Sequence, residues 1–180
     1  MSRWKNNFLL RDKRGLTLLE VVVAAGIISF GLAGSLLLIN FSSRNVRTAE
    51  YQLIASYLAQ ESVEIVVGIR DSNWLAGRPW DQGLSTMTSG VVDFDDTSIS
   101  QVSSSRFCLR FDSANDTYTH GTSSTCNTPY RRHIEISYGE EEIDDEDVTY
   151  MDVRVIVEWT ESGERERSVT VSHRLYDWYE

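Results

Sequence analysis

The hydrophobic and polar positions divide the chain into an apolar segment near its start and patterned segments after it. Residues 16–41 are apolar almost throughout, and Glu20 is the only ionisable side chain among them. At about 1.5 Å per residue, a helix of this length crosses the roughly 30 Å hydrocarbon core of a bilayer. The pattern therefore predicts a membrane-spanning helix.

The helical pattern continues beyond this span with one apolar stripe. No proline occurs in residues 42–70, and apolar residues recur there at three- and four-residue steps. The stripe consists of Val46, Ala49, Leu53, Tyr57 and Leu58. We expect one long helix whose second half, residues 42–70, packs on a folded domain and ends before the turn-like sequence Asp71-Ser72-Asn73.

The carboxy-terminal part alternates as strands with one buried face do. The predicted strands cover residues 106–111, 133–138, 148–160 and 167–176, with a hairpin turn over residues 161–164. Residues 72–105 are rich in Gly, Ser, Asp and Thr, which predicts loops with at most short strands. The predicted fold class is α+β: a long N-terminal helix packed on an antiparallel sheet of about four strands, in a globular head over residues 71–180.

Charge is distributed as unevenly as hydrophobicity. Residues 1–15 carry five basic side chains and one acid, in a chain whose formal net charge is -10. Only Arg44 and Arg47 follow the span closely, so the positive-inside rule places the N-terminus in the cytoplasm and the acidic remainder outside. Phosphate contacts need a basic face, and no nucleic-acid partner is expected for so acidic a chain.

Two simpler interpretations of the apolar segment agree less well with the sequence. A secretory signal peptide has an apolar region of about 7–15 residues that ends at a small-x-small site. Here the segment is longer, and Ala24, Ala25 and Gly26 lie in its middle. A plain signal anchor does not require Glu20, a carboxylate that costs about 2.5–3.5 kcal/mol inside hydrocarbon unless it extends toward the headgroups.

The junction between the basic leader and the apolar helix carries the most specific signal. It reads Lys13-Arg14-Gly15-Leu16-Thr17-Leu18-Leu19-Glu20, so the acid lies five residues beyond a glycine that ends the basic block. Cleavage after Gly15 would create an amine at Leu16, one helical turn from Glu20. This combination resembles the class III signal of type IV prepilins and of the pseudopilins of type II secretion systems.

The resemblance implies a processing step and an assembly step. A prepilin peptidase would cut between Gly15 and Leu16 and methylate the Leu16 amine, although the first mature residue in this family is often phenylalanine. Glu20 matches the family's glutamate that pairs with the N-terminal amine of an adjacent subunit, an attraction that a low dielectric strengthens. Residues 57–64 resemble a pattern often seen in minor subunits, which favours a minor pilin or pseudopilin.

The resemblance also implies partners and a location. The partners are prepilin peptidase, other pilin or pseudopilin subunits, the inner-membrane assembly platform, and membrane lipid before assembly. The chain would span the cytoplasmic membrane once, with an extracytoplasmic head, and then enter a pilus (fimbrium) at the cell surface or a pseudopilus in the periplasm.

Two cysteines lie in the part of the chain that we expect outside the cytoplasm, Cys108 and Cys126. A disulfide can form in that compartment, and closing the polar segment between them would stabilise the head by about 3 kcal/mol. Free buried thiols are the alternative. Many type IVa pilins carry their disulfide near the chain end, so the pairing is not carried over from the resemblance.

Two acidic clusters contain ligand types that calcium prefers. Asp112, Asn115 and Asp116 offer oxygen atoms within one loop, and residues 140–147 include seven carboxylates. Calcium takes about 6–8 oxygen ligands, but neither cluster has EF-hand spacing. Solvated acidic loops are the main expectation, with calcium at the first cluster as a secondary one, and no other cofactor is expected.

No catalytic pattern emerges from the sequence. His120, His133 and His173 are isolated, and no metal-ligand spacing, nucleophile elbow or P-loop accompanies them. We therefore expect a structural subunit and not an enzyme. Two other functions stay open: a membrane-tethered extracytoplasmic binding module that does not polymerise, and a hydrolase, which would need a cleft joining a histidine to paired carboxylates.

Overall fold

The computed structural model of the protein describes residues 17–121, 126–143, 146–161 and 165–177. In these residues one helix, α1 (Leu18–Leu75), precedes a series of strands and a 3₁₀ helix at Ser104–Arg106. The strands are β1 (Met87–Val91), β2 (Ser100–Gln101), β3 (Leu109–Asp112), β4 (Thr117–His120), β5 (Tyr130–Ile143), β6 (Glu146–Glu161) and β7 (Arg165–Tyr176). The predicted α+β fold class, a long N-terminal helix packed on an antiparallel sheet, is confirmed.

The start of α1 is set by a local cap. The backbone N–H of Glu20 donates to Thr17 Oγ1 at 3.3 Å. A threonine with a glutamate three residues later is the sequence of a capping box, in which the hydroxyl satisfies one of the free N–H groups of the first turn. Thr17 therefore fixes the helix start and places Glu20 in the first turn.

The helix ends later than predicted, at Leu75 instead of residue 70. Asn73 is buried in the last turns, and its Nδ2 donates to the carbonyl oxygens of Trp80 at 3.2 Å and Gln82 at 2.8 Å. These bonds hold the following chain against the helix end, so the polar residues expected to form a turn stay helical. Gly77, with φ of +64°, then provides the left-handed conformation at which the chain leaves the helix.

Contacts divide the chain into two compact units, with the division between Val46 and Arg47. The described part of the first unit is the first half of α1. The second unit contains the rest of α1 and all the strands. Five strands form an antiparallel sheet in the order β2-β1-β5-β6-β7, and β3 and β4 form a separate two-stranded hairpin.

The core of the second unit lies between α1 and one face of the five-stranded sheet. Alternate residues of β6 are buried, from Met151 to Trp159, as a strand with one covered face requires. The helix contributes one buried stripe: Ala55, Leu58, Ala59, Ser62, Val66 and Ile69.

Most residues of the predicted helical stripe therefore do not pack on the sheet, and the prediction is wrong for them. Leu58 is buried, but Val46, Leu53 and Tyr57 are 55–62% exposed on the opposite side of the helix. The helix has apolar residues on both of these sides, and helical periodicity alone does not distinguish the side that packs on the sheet.

The strands differ from the prediction in two places, whereas β1 and β2 are the short strands that the prediction allowed in residues 72–105. Of residues 106–111 only Leu109 onward is a strand, paired with β4 outside the main sheet. The acidic run, expected to be a loop, is largely strand because β5 and β6 stay paired up to Ile143 and Glu146. Residues 144–145 and the predicted turn residues 162–164 lie outside the described residues.

The predicted disulfide between Cys108 and Cys126 is present. It closes the base of the β3–β4 hairpin, where Asn127 holds the backbone of Phe111 with two hydrogen bonds. The Phe111 N–H donates to Asn127 Oδ1 at 2.8 Å, and Asn127 Nδ2 donates to the Phe111 carbonyl at 3.0 Å. The segment after the disulfide is thereby tied to β3.

Gly90 in β1 is expected to tolerate no side chain. A Cβ there would lie 2.7 Å from Ile99 Cγ2 and 3.2 Å from the Ile134 carbonyl oxygen. Gly90→Ala should lower the free energy of unfolding by about 1–3 kcal/mol. Gly68 in α1 is the matched control: nothing lies within 4 Å of its added Cβ, and Gly68→Ala should raise that free energy by roughly 0.5–1 kcal/mol.

Urea unfolding of the full-length protein in detergent, followed by tryptophan fluorescence, measures both changes. Equal stability of the Gly90→Ala variant and the unchanged protein would contradict the close approach seen at β1.

Candidate functional site

The first half of α1 exposes large apolar side chains on every side. Phe30 is 83% exposed, Leu37 72% and Phe41 65%. Among the described residues, this is the one helix long and apolar enough to cross a membrane, and none of its most hydrophobic 18-residue stretch is buried in the protein. A helix that is apolar all round needs lipid or other such helices around it.

Three uncharged polar side chains of this helical segment donate hydrogen bonds to carbonyl oxygens of the same helix. The hydroxyl of Ser29 donates to the Ala25 carbonyl at 2.8 Å, and that of Ser35 to the Gly31 carbonyl at 2.9 Å. Asn40 Nδ2 donates to the Leu36 carbonyl at 3.0 Å. These groups can therefore enter an apolar environment at little cost. Glu20 differs from them because it carries a charge.

Glu20 lies exposed in the first turn of α1. The free N–H groups of a first turn carry a partial positive charge, which favours a carboxylate there. The predicted processing residues, Gly15 and Leu16, lie outside the described residues. Along the sequence Leu16 precedes Glu20 by four residues, about one helical turn.

The second unit contains a buried charged cluster that the sequence interpretation did not assemble. Arg132 on β5 is fully buried, and its Nη1 donates to the Leu58 carbonyl at 3.2 Å and to Glu61 Oε2 at 2.8 Å. Its Nη2 donates to the Val92 carbonyl at 2.9 Å and approaches Asp93 Oδ1 at 3.5 Å. One guanidinium thus connects α1, β5 and the segment after β1.

His120, the last residue of β4, completes this cluster. Its ring Nδ1 is 2.7 Å from Asp93 Oδ1, its backbone N–H donates to both carboxylate oxygens of Asp93, and its side chain is 3% exposed. Burial acts to raise the pKa of Asp93, but the hydrogen bonds from His120 and the charges of His120 and Arg132 outweigh it, so the pKa lies below its ordinary value. We call Arg132, Glu61, Asp93 and His120 the Arg132 cluster.

The sequence interpretation did not bring the members of the cluster together. It treated His120 as isolated, whereas the His120 side chain is buried beside Asp93, and it gave no partner to Glu61, which binds Arg132. One feature of the sequence could have indicated that Arg132 is buried. In β5 the buried positions alternate as Tyr130, Arg132, Ile134 and Ile136, and an arginine in such a series needs buried acceptors.

The other candidate residues do not come together as a metal or catalytic site. Within the described part of the chain, no three His, Cys, Asp or Glu side chains are grouped as metal ligands. Asp112 instead closes the β3–β4 turn, where its carboxylate accepts from the Ala114 N–H and from Asn115 Nδ2, both at 3.0 Å. Asp116 takes a positive φ in the same turn. Calcium binding by these three residues stays a prediction.

The two remaining histidines lie on different strands. His133 on β5 stacks on Phe107 with ring centroids 4.5 Å apart, and burial lowers its pKa. His173 is exposed on β7. Neither of them belongs to the Arg132 cluster.

Comparison with known protein families identifies the N-terminal segment. Residues 10–36 match the family model of the prokaryotic N-terminal methylation motif. No curated protein and no solved structure matches the chain significantly. The matched residues contain the Gly15–Leu16 junction, Thr17 and Glu20, so the chain carries a class III signal of the type IV pilin kind.

The motif defines the general class of the protein. It indicates a type IV pilin-like or pseudopilin precursor, and hence a structural subunit. It implies processing by prepilin peptidase and assembly with other pilins. The long apolar helix and the motif together fit anchoring in a membrane.

Proposed function

We propose that the protein is a minor pilin or pseudopilin, processed between Gly15 and Leu16 and assembled through the first half of α1 into a type IV pilus or a type II secretion pseudopilus. The observation that carries this proposal is an all-round apolar helix with one acid, Glu20, in its first turn, directly after the methylation-motif junction. A helix of this kind suits two environments, lipid before assembly and neighbouring helices after it.

Assembly in this proposal is lateral extraction from lipid into a stack of helices. The contacts with hydrocarbon are replaced by contacts with neighbouring apolar helices, so little free energy separates the two environments for the apolar side chains. Glu20 favours the assembled state over the state in lipid. A carboxylate in hydrocarbon is costly, whereas one that faces the Leu16 amine of another subunit is neutralised. The work would come from the inner-membrane assembly platform.

The exposed apolar side of α1 in the second unit supports subunit packing beyond the membrane. Leu53 is 55% exposed and Tyr57 is 62% exposed, on the side opposite to the stripe that covers the sheet. Apolar residues at helical spacing on an uncovered face are typical of a protein interface. In the assembled fibre, this side of α1 would contact the corresponding helices of neighbouring subunits.

Intact-mass analysis of the protein from its native host tests the proposal. Cells with prepilin peptidase should contain a chain that starts at Leu16 and carries one added methyl group, and cells without the peptidase should contain only the chain from Met1. The processed chain should also appear in the sheared fibre fraction. A chain that still starts at Met1 in peptidase-containing cells would refute the proposed processing. A processed chain absent from fibres would favour the membrane-tethered binding module.

A further inference from the structure

The two edges of the five-stranded sheet are built differently. One edge is β2, a strand of two residues, and a short edge strand is one way in which proteins avoid pairing with other chains. The other edge is β7, which pairs with β6 over twelve consecutive residues without a bulge. Among the described residues, no strand pairs with the second side of β7. Alternate backbone N–H and C=O groups of β7 therefore point toward a position that another strand can occupy.

The sequence of β7 also lacks features that protect edge strands. It contains no proline and no lysine, and its central residues, 168–172, are uncharged Ser, Thr and Val residues. The side chains of Ser168, Thr170 and Ser172 are exposed on one face of the strand. Val169 and Val171 are half-buried beside the core on the other face. A second strand with valines at matching positions would cover the part of these side chains that is still exposed.

The sequence of β7 is complementary to itself in the antiparallel direction. With Thr170 opposite Thr170 of a second copy, opposite charges meet at both ends and valines meet between them. A shift by two residues in either direction would instead place a valine opposite Arg167 or His173. The facing pairs in the unshifted register, each occurring twice, are Glu166 with Arg174, Arg167 with His173, Ser168 with Ser172 and Val169 with Val171.

The charges at the ends favour this register more than they strengthen the contact. Arg174 already binds Asp152 and Glu141, both at 2.8 Å, and its side chain is 40% exposed. Because these two acids balance Arg174, Glu166 of a second copy would contribute to specificity more than to affinity. Within residues 166–174, no two acids and no two arginines face each other in this register.

The direction of β7 decides which copies can pair in this way. The Trp159 ring, opposite the start of β7, lies 6.5 Å from the Tyr130 ring, and the Tyr130 hydroxyl donates to the Tyr51 carbonyl of α1. Directly after the end of β7, Asp177 accepts from Trp74 Nε1 near the end of α1, at 3.2 Å. β7 therefore runs in the same direction as the part of α1 in the second unit. Antiparallel pairing of two β7 strands brings together copies whose α1 helices run in opposite directions there.

We propose that β7 pairs with β7 of a second copy of this chain, in the antiparallel register centred on Thr170, and that this copy belongs to a neighbouring fibre of opposite direction. Within one fibre, Glu20 of one copy meets the Leu16 amine of the next, so the helices run in the same direction and this pairing does not form. The contact is two-fold, so it joins two heads and does not extend a polymer. Only the assignment to neighbouring fibres rests on the proposed function.

Cysteine crosslinking of the full-length protein in detergent micelles tests the pairing, because each copy is free to turn there. The two native cysteines are bonded to each other, so a single Cys substitution provides one free thiol. Residues opposite each other on antiparallel strands have Cα atoms about 4.5–5.5 Å apart, which a disulfide can bridge. Thr170→Cys should therefore form a disulfide-linked dimer under mild oxidation, about ten-fold or more faster than thiols that meet only by collision.

Two variants on the same exposed face test the register. Ser168→Cys alone should form little dimer, because its two thiols would lie four residues apart along the paired strands, about 14 Å. Mixed with Ser172→Cys, it should form the mixed dimer as fast as Thr170→Cys forms its own. Equal rates for Thr170→Cys and Ser168→Cys alone, or no dimer from Thr170→Cys, would overturn the pairing.

Hydrogen exchange of the unchanged protein provides a measurement that does not depend on the folding of a variant. Alternate amides of residues 166–174 should gain protection as the protein concentration rises, whereas amides in the centre of β6, which pair on both sides, should not. Constant protection of β7 at all concentrations would contradict the pairing.

Fibres from two strains that carry Thr170→Cys with different epitope tags test the assignment to neighbouring fibres. When they are mixed after shearing and then oxidised, dimers containing both tags should form. Dimers with one tag only would refute contact between fibres. Absence of the protein from fibres would refute the proposed function, while the result in detergent would still decide whether the heads pair.

Discussion

Glu20→Ala is expected to remove the protein from fibres while its insertion into the membrane and the fold of its head persist. Insertion should improve, because the substitution deletes a carboxylate that costs about 2.5–3.5 kcal/mol in the span. Assembly should fail, because the amine of the neighbouring subunit would lose its counter-charge in a low-dielectric stack. Removing one partner of a buried pair costs about 3–5 kcal/mol, which corresponds to a decrease in incorporation of at least a hundred-fold.

The amounts in the membrane and in sheared fibres, each determined by immunoblot, measure this effect. Glu166→Ala is the control, since Glu166 is an exposed acid on β7 in the second unit, outside the helix proposed to pack in the fibre. It should enter fibres at the level of the unchanged protein. Normal incorporation of Glu20→Ala would show that the acid is not needed for assembly, and equal losses in both variants would indicate a general defect in folding or amount.

The sequence predicts a helix or strand correctly where its hydrophobic pattern fits only one structure. The almost continuous apolar residues 16–41 favour a helix in lipid or among helices, and the alternation over residues 148–160 defines β6 nearly to its ends. The junction before Glu20 is equally specific because it combines charge, glycine and acid at fixed spacing. In these segments, local sequence and long-range packing favour the same structure.

The prediction fails where the sequence pattern fits two structures equally well and only tertiary packing decides between them. In the second half of α1, Leu53 and Leu58 lie on opposite sides of one helix, and only the shape of the sheet decides that Leu58 is buried. The Arg132 cluster is even less predictable from the sequence. Its members come from α1, β4, β5 and the segment after β1, so their proximity depends on the topology of the whole unit.

The Arg132 cluster shares no residue with the surfaces that the proposed function uses in assembly. The methylation motif and Glu20 lie in the first unit, whereas the Arg132 cluster lies in the second. A substitution in the cluster should therefore act on fibres only through the amount of folded head. This separation allows the energetics of the cluster to be measured without assembly.

Arg132→Ala is expected to be among the most destabilising single substitutions in the head. It removes the guanidinium between Glu61 and Asp93 and leaves two carboxylates facing a cavity, and the carbonyls of Leu58 and Val92 lose the donors Nη1 and Nη2. Breaking a buried ion pair by removing one partner costs about 3–5 kcal/mol. Urea unfolding of the full-length protein in detergent should show a loss of this size.

Arg154→Ala provides the comparison for this loss. Arg154 on β6 is also paired, with Glu135 at 3.2 Å, but its side chain is 60% exposed, and an exposed pair contributes about 0–1 kcal/mol. A triple variant, Arg132→Met with Glu61→Gln and Asp93→Asn, should recover part of the stability, because it removes the charges together with their counter-charge. If Arg132→Ala cost no more than Arg154→Ala, the cluster would contribute little, and the helix would be held on the sheet by its apolar stripe alone.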